Sequence, residues 1–211
     1  MKFSTKMNKY LYIVASLLLF SSCEKQKEHK CISPMASGIE VEALSDCTVP
    51  ASFTTDDFRW MGGNLRMTVY SEDLYDAVEV SQMQLGDTLV YQGNPLVITS
   101  LEEDNGTLNV NGGVEMGGCW LQGYEGGTYR AYTFDDHSIY SKLGTAEVAL
   151  SEDFIIIDCH EFPDEPSDTI RTDQKLYLEN LEGYRKEFYS INTRVVIENG
   201  MITEINRHWI P

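Results

Sequence analysis

Thr193-Arg-Val-Val-Ile-Glu-Asn-Gly-Met-Ile-Thr-Glu-Ile-Asn-Arg-His-Trp209 is the stretch that decides the fold. Thr193 to Glu198 is rich in β-branched residues and forms one arm, and Met201 to Trp209, with Ile202 and Ile205, forms the other. Runs of this kind bounded by turn residues read as strands, as does alternation at period two. Asn199-Gly200 separates the two arms. Asn and Gly tolerate the positive φ that a tight two-residue turn demands. The stretch therefore predicts a β-hairpin.

Working back from this hairpin, the same signals recur. Leu65 to Tyr70 alternates, and so does Ala77 to Met83, which reads as a strand with Val78 and Val80 on one face. Thr88 to Tyr91 and Leu96 to Leu101 follow, parted by Gly93-Asn94-Pro95. The turn Met83-Gln84-Leu85-Gly86-Asp87 resembles those of several small β-barrels. Asp104-Asn105-Gly106 predicts a second tight hairpin, running on into Thr107 to Val110. Further strands are expected over Thr128 to Phe134, Thr145 to Leu150 and Phe154 to Asp158, the last apolar on both faces and so central. Tyr177, Leu181, Tyr184 and Phe188 recur at helical spacing behind Thr172 and Asp173, which are good caps. The fold class is thus mainly β, an antiparallel barrel or sandwich with one short helix near 173–189.

The other end of the chain has a different character. Lys2, Lys6 and Lys9 precede the apolar run Leu11 to Phe20, then Ser21, Ser22 and Cys23. A positive start, a short apolar stretch and small residues make a secretory signal peptide. The run is too short to span a bilayer, which takes about 20 apolar residues. The cysteine directly after the small residues resembles the lipobox of bacterial lipoproteins, with Phe20 where the commonest pattern has Leu. That resemblance implies that residues 1–22 are removed and that the Cys23 thiol carries palmitate-type acyl chains. Residues 23–30 are polar and read as a lipidated tether, because nothing in them joins a core. Glu24, rather than Asp, follows the anchor cysteine, and so the expected address is the cell outer membrane. Residues 31–211 form the β-rich body, with two packed subdomains expected to part near 115, in the glycine-rich stretch.

The mature chain keeps 13 basic residues against 33 acidic ones, a formal charge of −20. Such a charge argues against nucleic acid and against an anionic lipid surface, both of which need a basic partner. It leaves open a basic protein or a carbohydrate as partner, besides the membrane reached through the lipid. With Cys23 assigned to lipid, Cys31, Cys47, Cys119 and Cys159 remain. In an oxidising compartment they suggest two disulfides. Proximity in sequence pairs Cys31 with Cys47 and Cys119 with Cys159.

Candidate chemistry is sparse, and no cofactor motif is present. Asp135-Asp136-His137 is the densest set of metal-ligating side chains. Adjacent residues of an extended chain point to opposite faces, however, and Asp-Asp also marks a turn. Asp158-Cys159-His160-Glu161 invites a nucleophilic-cysteine reading, against which a bridged Cys159 competes. No Gly-x-Ser-x-Gly elbow presents a serine to His137, His160 or His208. Trp60, Trp120 and Tyr124 lie near glycine-rich turns and suit a sugar-stacking surface, or else core filling. Asp87-Thr88-Leu89 and Asp168-Thr169-Ile170 resemble short sites at which some bacteria glycosylate exported proteins. The expectation is a non-catalytic envelope lipoprotein that binds a ligand or supports an assembly. A hydrolase of envelope or dietary polymers and an acidic decoy for a basic protein are the alternatives.

Overall fold

The computed structural model describes residues 29–158 and 173–210. The terminal hairpin forms as expected: β14 (Thr193–Glu198) and β15 (Met201–Arg207) pair antiparallel. Asn199 and Gly200 turn the chain at φ 51° and 76°. The chain is mainly β, but the hairpin's neighbours make it more than a meander. β14 pairs antiparallel with β2 (Cys47–Thr54), and β2 pairs antiparallel with β4 (Asn64–Glu72). β4 pairs antiparallel with β12 (Tyr140–Asp158). β12 returns to β15, and this pairing is parallel. The ring β2–β4–β12–β15–β14–β2 is closed, which leaves no free edge among those five strands. This is the strand order of a five-stranded Greek-key barrel of the OB type, a fold that by itself fixes no function.

β12 is what closes the ring. Thr145 to Leu150 and Phe154 to Asp158, expected as two strands, are one strand of 19 residues. Its first half lies along β4 and its second half along β15, with a register shift between Leu150 and Ile155. An irregularity of this kind bends a strand instead of ending it. The barrel interior takes alternate residues: Val49, Ala51 and Phe53 from β2, Leu65, Met67 and Val69 from β4. Ala146, Val148 and Ile156 of β12 join them, with Val195, Ile197, Ile202 and Ile205 of the terminal hairpin.

The predicted helix packs on the barrel core and is shorter than its sequence pattern. α2 (Gln174–Glu179) starts at Asp173, whose side chain accepts the Leu176 N–H. Gly183 at φ 57° then diverts the chain. Leu178 and Leu181 are buried against the barrel, while Tyr184 is 65% exposed. Phe188 belongs to β13 (Glu187–Phe188), which pairs with β2 and stacks Phe188 on Phe53 at 4.5 Å. A short β3 (Phe58–Arg59) pairs with β4 on the other side.

Residues 73–139 are inserted between β4 and β12, and they build a second core. β5 (Leu74–Asp76), β11 (Thr128–Tyr132), β10 (Cys119–Tyr124), β9 (Thr107–Val110) and β8 (Leu101–Asp104) form a five-stranded sheet in that order. A smaller sheet, β1 (Cys31–Ile32), β6 (Thr88–Tyr91) and β7 (Asn94–Val97), contributes Ile32 and Leu89 to the same core. From the larger sheet come Tyr75, Val110, Cys119, Leu121 and Ala131. Barrel and two-sheet packing are thus both present in one chain. Position 115 falls between β9 and β10, neighbours in one sheet. The two cores part instead at the residues where the insert leaves β4 and rejoins β12.

The expected strand over Ala77 to Met83 is not a strand. Ala77–Ser81 is a helix, α1, because the Asp76 carboxylate accepts the N–H groups of Val78 and Glu79. An N-cap of this kind outweighs the strand preference of two valines. Val80 is buried and Val78 is exposed, as helical spacing and not alternation requires. Among the described residues no helix is long and apolar enough to cross a membrane.

Candidate functional site

The insert presents one surface whose chemistry stands out. β10 and β11 form a hairpin in which Trp120 faces Tyr132, Gln122 faces Arg130 and Tyr124 faces Thr128. Side chains alternate across a sheet. Cys119, Leu121 and Ala131 fill the core, and so Trp120, Gln122, Tyr124, Arg130 and Tyr132 share the outer face. Thr107 and Asn109 of β9 continue that face beside Gln122 and Trp120, and Asp104 and Glu102 of β8 form its far rim.

The aromatic rings touch. Trp120 lies 5.7 Å from Tyr132 and 6.1 Å from Phe134, tilted by 37° and 39°. Phe134 is 72% exposed. Gly113 makes room for the indole, since a Cβ there would fall 2.0 Å from Trp120 Nε1. The Tyr132 hydroxyl hydrogen-bonds the Thr107 hydroxyl at 2.9 Å. Arg130 lies between two phenols, 5.6 Å from the Tyr124 ring centre and 5.5 Å from that of Tyr132. Its Nη1 donates to the Asp136 carbonyl at 3.2 Å, and its Nη2 donates to Gln122 Oε1 at 3.3 Å and pairs with the Asp136 carboxylate. The guanidinium is thereby held over two aromatic rings while its hydrogen-bonding fork is engaged, an arrangement that lysine does not reproduce.

The proposed metal tripeptide takes another role. Asp135-Asp136-His137 is the turn leaving β11, closed by Thr133 N–H to His137 carbonyl at 2.8 Å and Asp136 N–H to Thr133 carbonyl at 3.1 Å. Asp136 takes a φ of 60° and commits its carboxylate to Arg130. Among the described residues no three His, Cys, Asp or Glu side chains converge as a metal site. The turn hydrogen bonds account for the tripeptide, which contributes Asp136 to the aromatic face.

Trp60 separates from the other two aromatics. It stacks on Phe58 at 5.0 Å, partly buried against the barrel core. Trp120 and Tyr124 belong to the insert. Glycine richness around all three residues suggested one surface, but the topology places them in different modules. Tyr132, Phe134, Arg130 and Gln122 carry no such composition signal. The alternation Trp-x-Gln-x-Tyr opposite Thr-x-Arg-x-Tyr carries them, once the hairpin register is known.

Cys31, Cys47 and Cys119 are free thiols, so the expected Cys31–Cys47 bridge is not formed. Cys31 lies beside Thr88 in the small sheet and Cys47 beside Ile197 in the barrel, which places them in different sheets. Cys119 is fully buried, and burial, with the nearby Asp73 carboxyl, pushes its thiol up to about 12. Cys23, Cys159, His160, Glu161 and Asp168 to Ile170 lie outside the described residues. In Asp87-Thr88-Leu89, Asp87 and Leu89 are fully buried and Thr88 sits within β6, which does not suit a modifying enzyme. His208 is exposed, its N–H donating to the Asn192 carbonyl.

No protein-family profile, curated protein or solved structure matches this chain.

Proposed function

We propose that the chain is a non-catalytic, lipid-anchored lipoprotein of the cell outer membrane, and that it binds carbohydrate on the outer face of β10 and β11. The contiguous cluster of Trp120, Tyr132 and Phe134, bordered by hydrogen-bonding groups, carries the reading. Sugar rings offer apolar C–H faces ringed by hydroxyls, and an aromatic surface with polar neighbours matches both. Phe134 would otherwise be a large apolar side chain left in water with no part in the core. The Cys23 resemblance supports the anchoring, and the acidic balance disfavours nucleic acid as the ligand.

Affinity electrophoresis through gels containing soluble plant and bacterial polysaccharides tests the binding. Retardation of the mature protein by at least one polysaccharide, abolished in Trp120→Ala, is the expected result. Unchanged migration across the whole panel would sink the carbohydrate reading. Labelled palmitate should enter the wild-type chain and not Cys23→Ala.

A further inference from the structure

Given a carbohydrate on this face, we infer that it is an uncharged glycan recognised along its chain interior, and that Arg130 is a positioning residue and not a receptor for a sugar carboxylate. Three observations lead there. The first is that Arg130 is already occupied. Its guanidinium serves the Asp136 carbonyl, the Asp136 carboxylate and Gln122, and its faces cover two phenol rings. Only 16% of its side chain is exposed. A uronate would have to replace one carboxylate on Arg130 by another, so the exchange gives no net gain in charge pairing.

The second observation is the charge around the face. Glu102 and Asp104 stand along the rim formed by β8, on a body of net charge −20 after processing. The field there repels anions, while the same carboxylates accept hydrogen bonds from hydroxyl groups. The third is the openness of the face. The hairpin end between β10 and β11 carries Gly126 and Gly127, where an added Cβ would meet nothing within 4 Å. A polymer can run past that end without meeting a wall, whereas a site for chain ends needs enclosure.

What Arg130 does instead is fix the platform. Within 5.6 Å of the Tyr124 ring centre and 5.5 Å of that of Tyr132, and tied to Asp136, it sets the spacing of the rings beside Trp120. Preorganised side chains lower the ordering cost of binding.

The test uses the mature protein and two sets of oligosaccharides, from disaccharide to hexasaccharide. One set is neutral, with glucose, mannose and xylose backbones; the other is built of uronic acids. Trp fluorescence or calorimetry is the readout, at about 50 and about 500 mM salt. The neutral hexamer should bind about tenfold or more tightly than the dimer, with affinity insensitive to salt. Arg130→Lys keeps the charge but should weaken neutral binding about tenfold and alter the near-ultraviolet circular dichroism of the aromatic cluster. Asp136→Asn should not create uronate binding. Preference for the uronate set, weakened by salt and strengthened in Asp136→Asn, overturns the inference and leaves the carbohydrate reading standing. Binding of neither set overturns the reading itself, and the inference with it.

Discussion

The barrel and the insert each bury a carboxylate, and they treat it in opposite ways. In the barrel, Asp158 is 4% exposed and faces Arg207, whose side chain is fully buried. Arg207 Nε donates to Asp158 Oδ1 at 3.0 Å, and Nη1 donates to the carbonyls of Arg185 and Glu187. The guanidinium lies 4.1 Å from the Phe188 ring centre, and the Tyr177 hydroxyl donates to Asp158 Oδ2. Asp73, at the base of the insert, is also fully buried. Its Oδ2 accepts the Gln92 N–H at 3.0 Å, and Ser141 lies beside the carboxyl, but among the described residues no cation pairs with it. Burial pushes the Asp73 carboxyl above its ordinary range, and Ser141 and Gln92 offset only part of that. The difference teaches that burial alone does not set the worth of a carboxylate. The partners do: Asp158 is matched by a cation whose removal would strand it, while Asp73 is buried with hydrogen bonds but no cation, at the joint where the insert leaves β4.

Removing one member of the barrel pair should have the largest effect. Arg207→Met leaves Asp158 buried and unpaired, and stability should fall by about 3–5 kcal/mol in urea unfolding. The double variant Asp158→Leu with Arg207→Met should lose less than Arg207→Met alone, since the stranded charge is gone. If the single variant costs no more than an average surface change, the barrel half of the comparison fails.

A smaller loss is expected on the outer face of the insert. Gly113 has a φ of +76°, and a Cβ there collides with the Trp120 indole. Gly113→Ala should cost about 1–3 kcal/mol, from strain and overpacking together, and displace Trp120. Retention of polysaccharide binding by a folded Gly113→Ala variant would disconnect Trp120 from the site.

At the joint the sign reverses. The folded state holds the Asp73 proton more tightly than the unfolded chain does. Its contribution to stability is therefore complete below the ordinary value of 3.8 and is lost as pH rises through the folded value. Asp73→Asn should remove this pH-dependent component and stabilise the protein at neutral pH by about 1–2 kcal/mol, since a neutral amide costs less to bury than a carboxylate with no cationic partner. Parallel stability-against-pH curves for the wild type and Asp73→Asn would refute the account. The smallest effect belongs to Phe134→Ser, which should move stability by less than about 0.5 kcal/mol while weakening glycan binding. For the stability measurements, Trp60 in the barrel and Trp120 on the insert make separate fluorescence reporters once Trp209 and the other tryptophan are replaced by Phe.

Where a local rule was sufficient, the sequence was readable. Asn199-Gly200 and Asn105-Gly106 both take positive φ and both close hairpins. Asp173 caps the expected helix. Misreadings came where two local rules competed. Ala77 to Ser81 alternates like a strand, but Asp76 caps it as a helix. Ser151-Glu152-Asp153 looks like a break, but β12 passes through it as one bent strand. The candidate site was half legible: Trp120 and Tyr124 carried a composition signal, whereas Arg130 and Tyr132 acquire their meaning only from cross-strand register.

The β class, the tight turns and the resemblance of the leader to a lipobox were legible from neighbours a few residues apart, and the acidity of the chain from its composition. Folding in three dimensions was needed to close a barrel through the parallel pairing of β12 with β15, to put Trp60 and Trp120 in different modules, and to give Asp158 an arginine and Asp73 none. Those outcomes rest on contacts between distant residues, and no spacing along the chain encodes which distant strand becomes a neighbour.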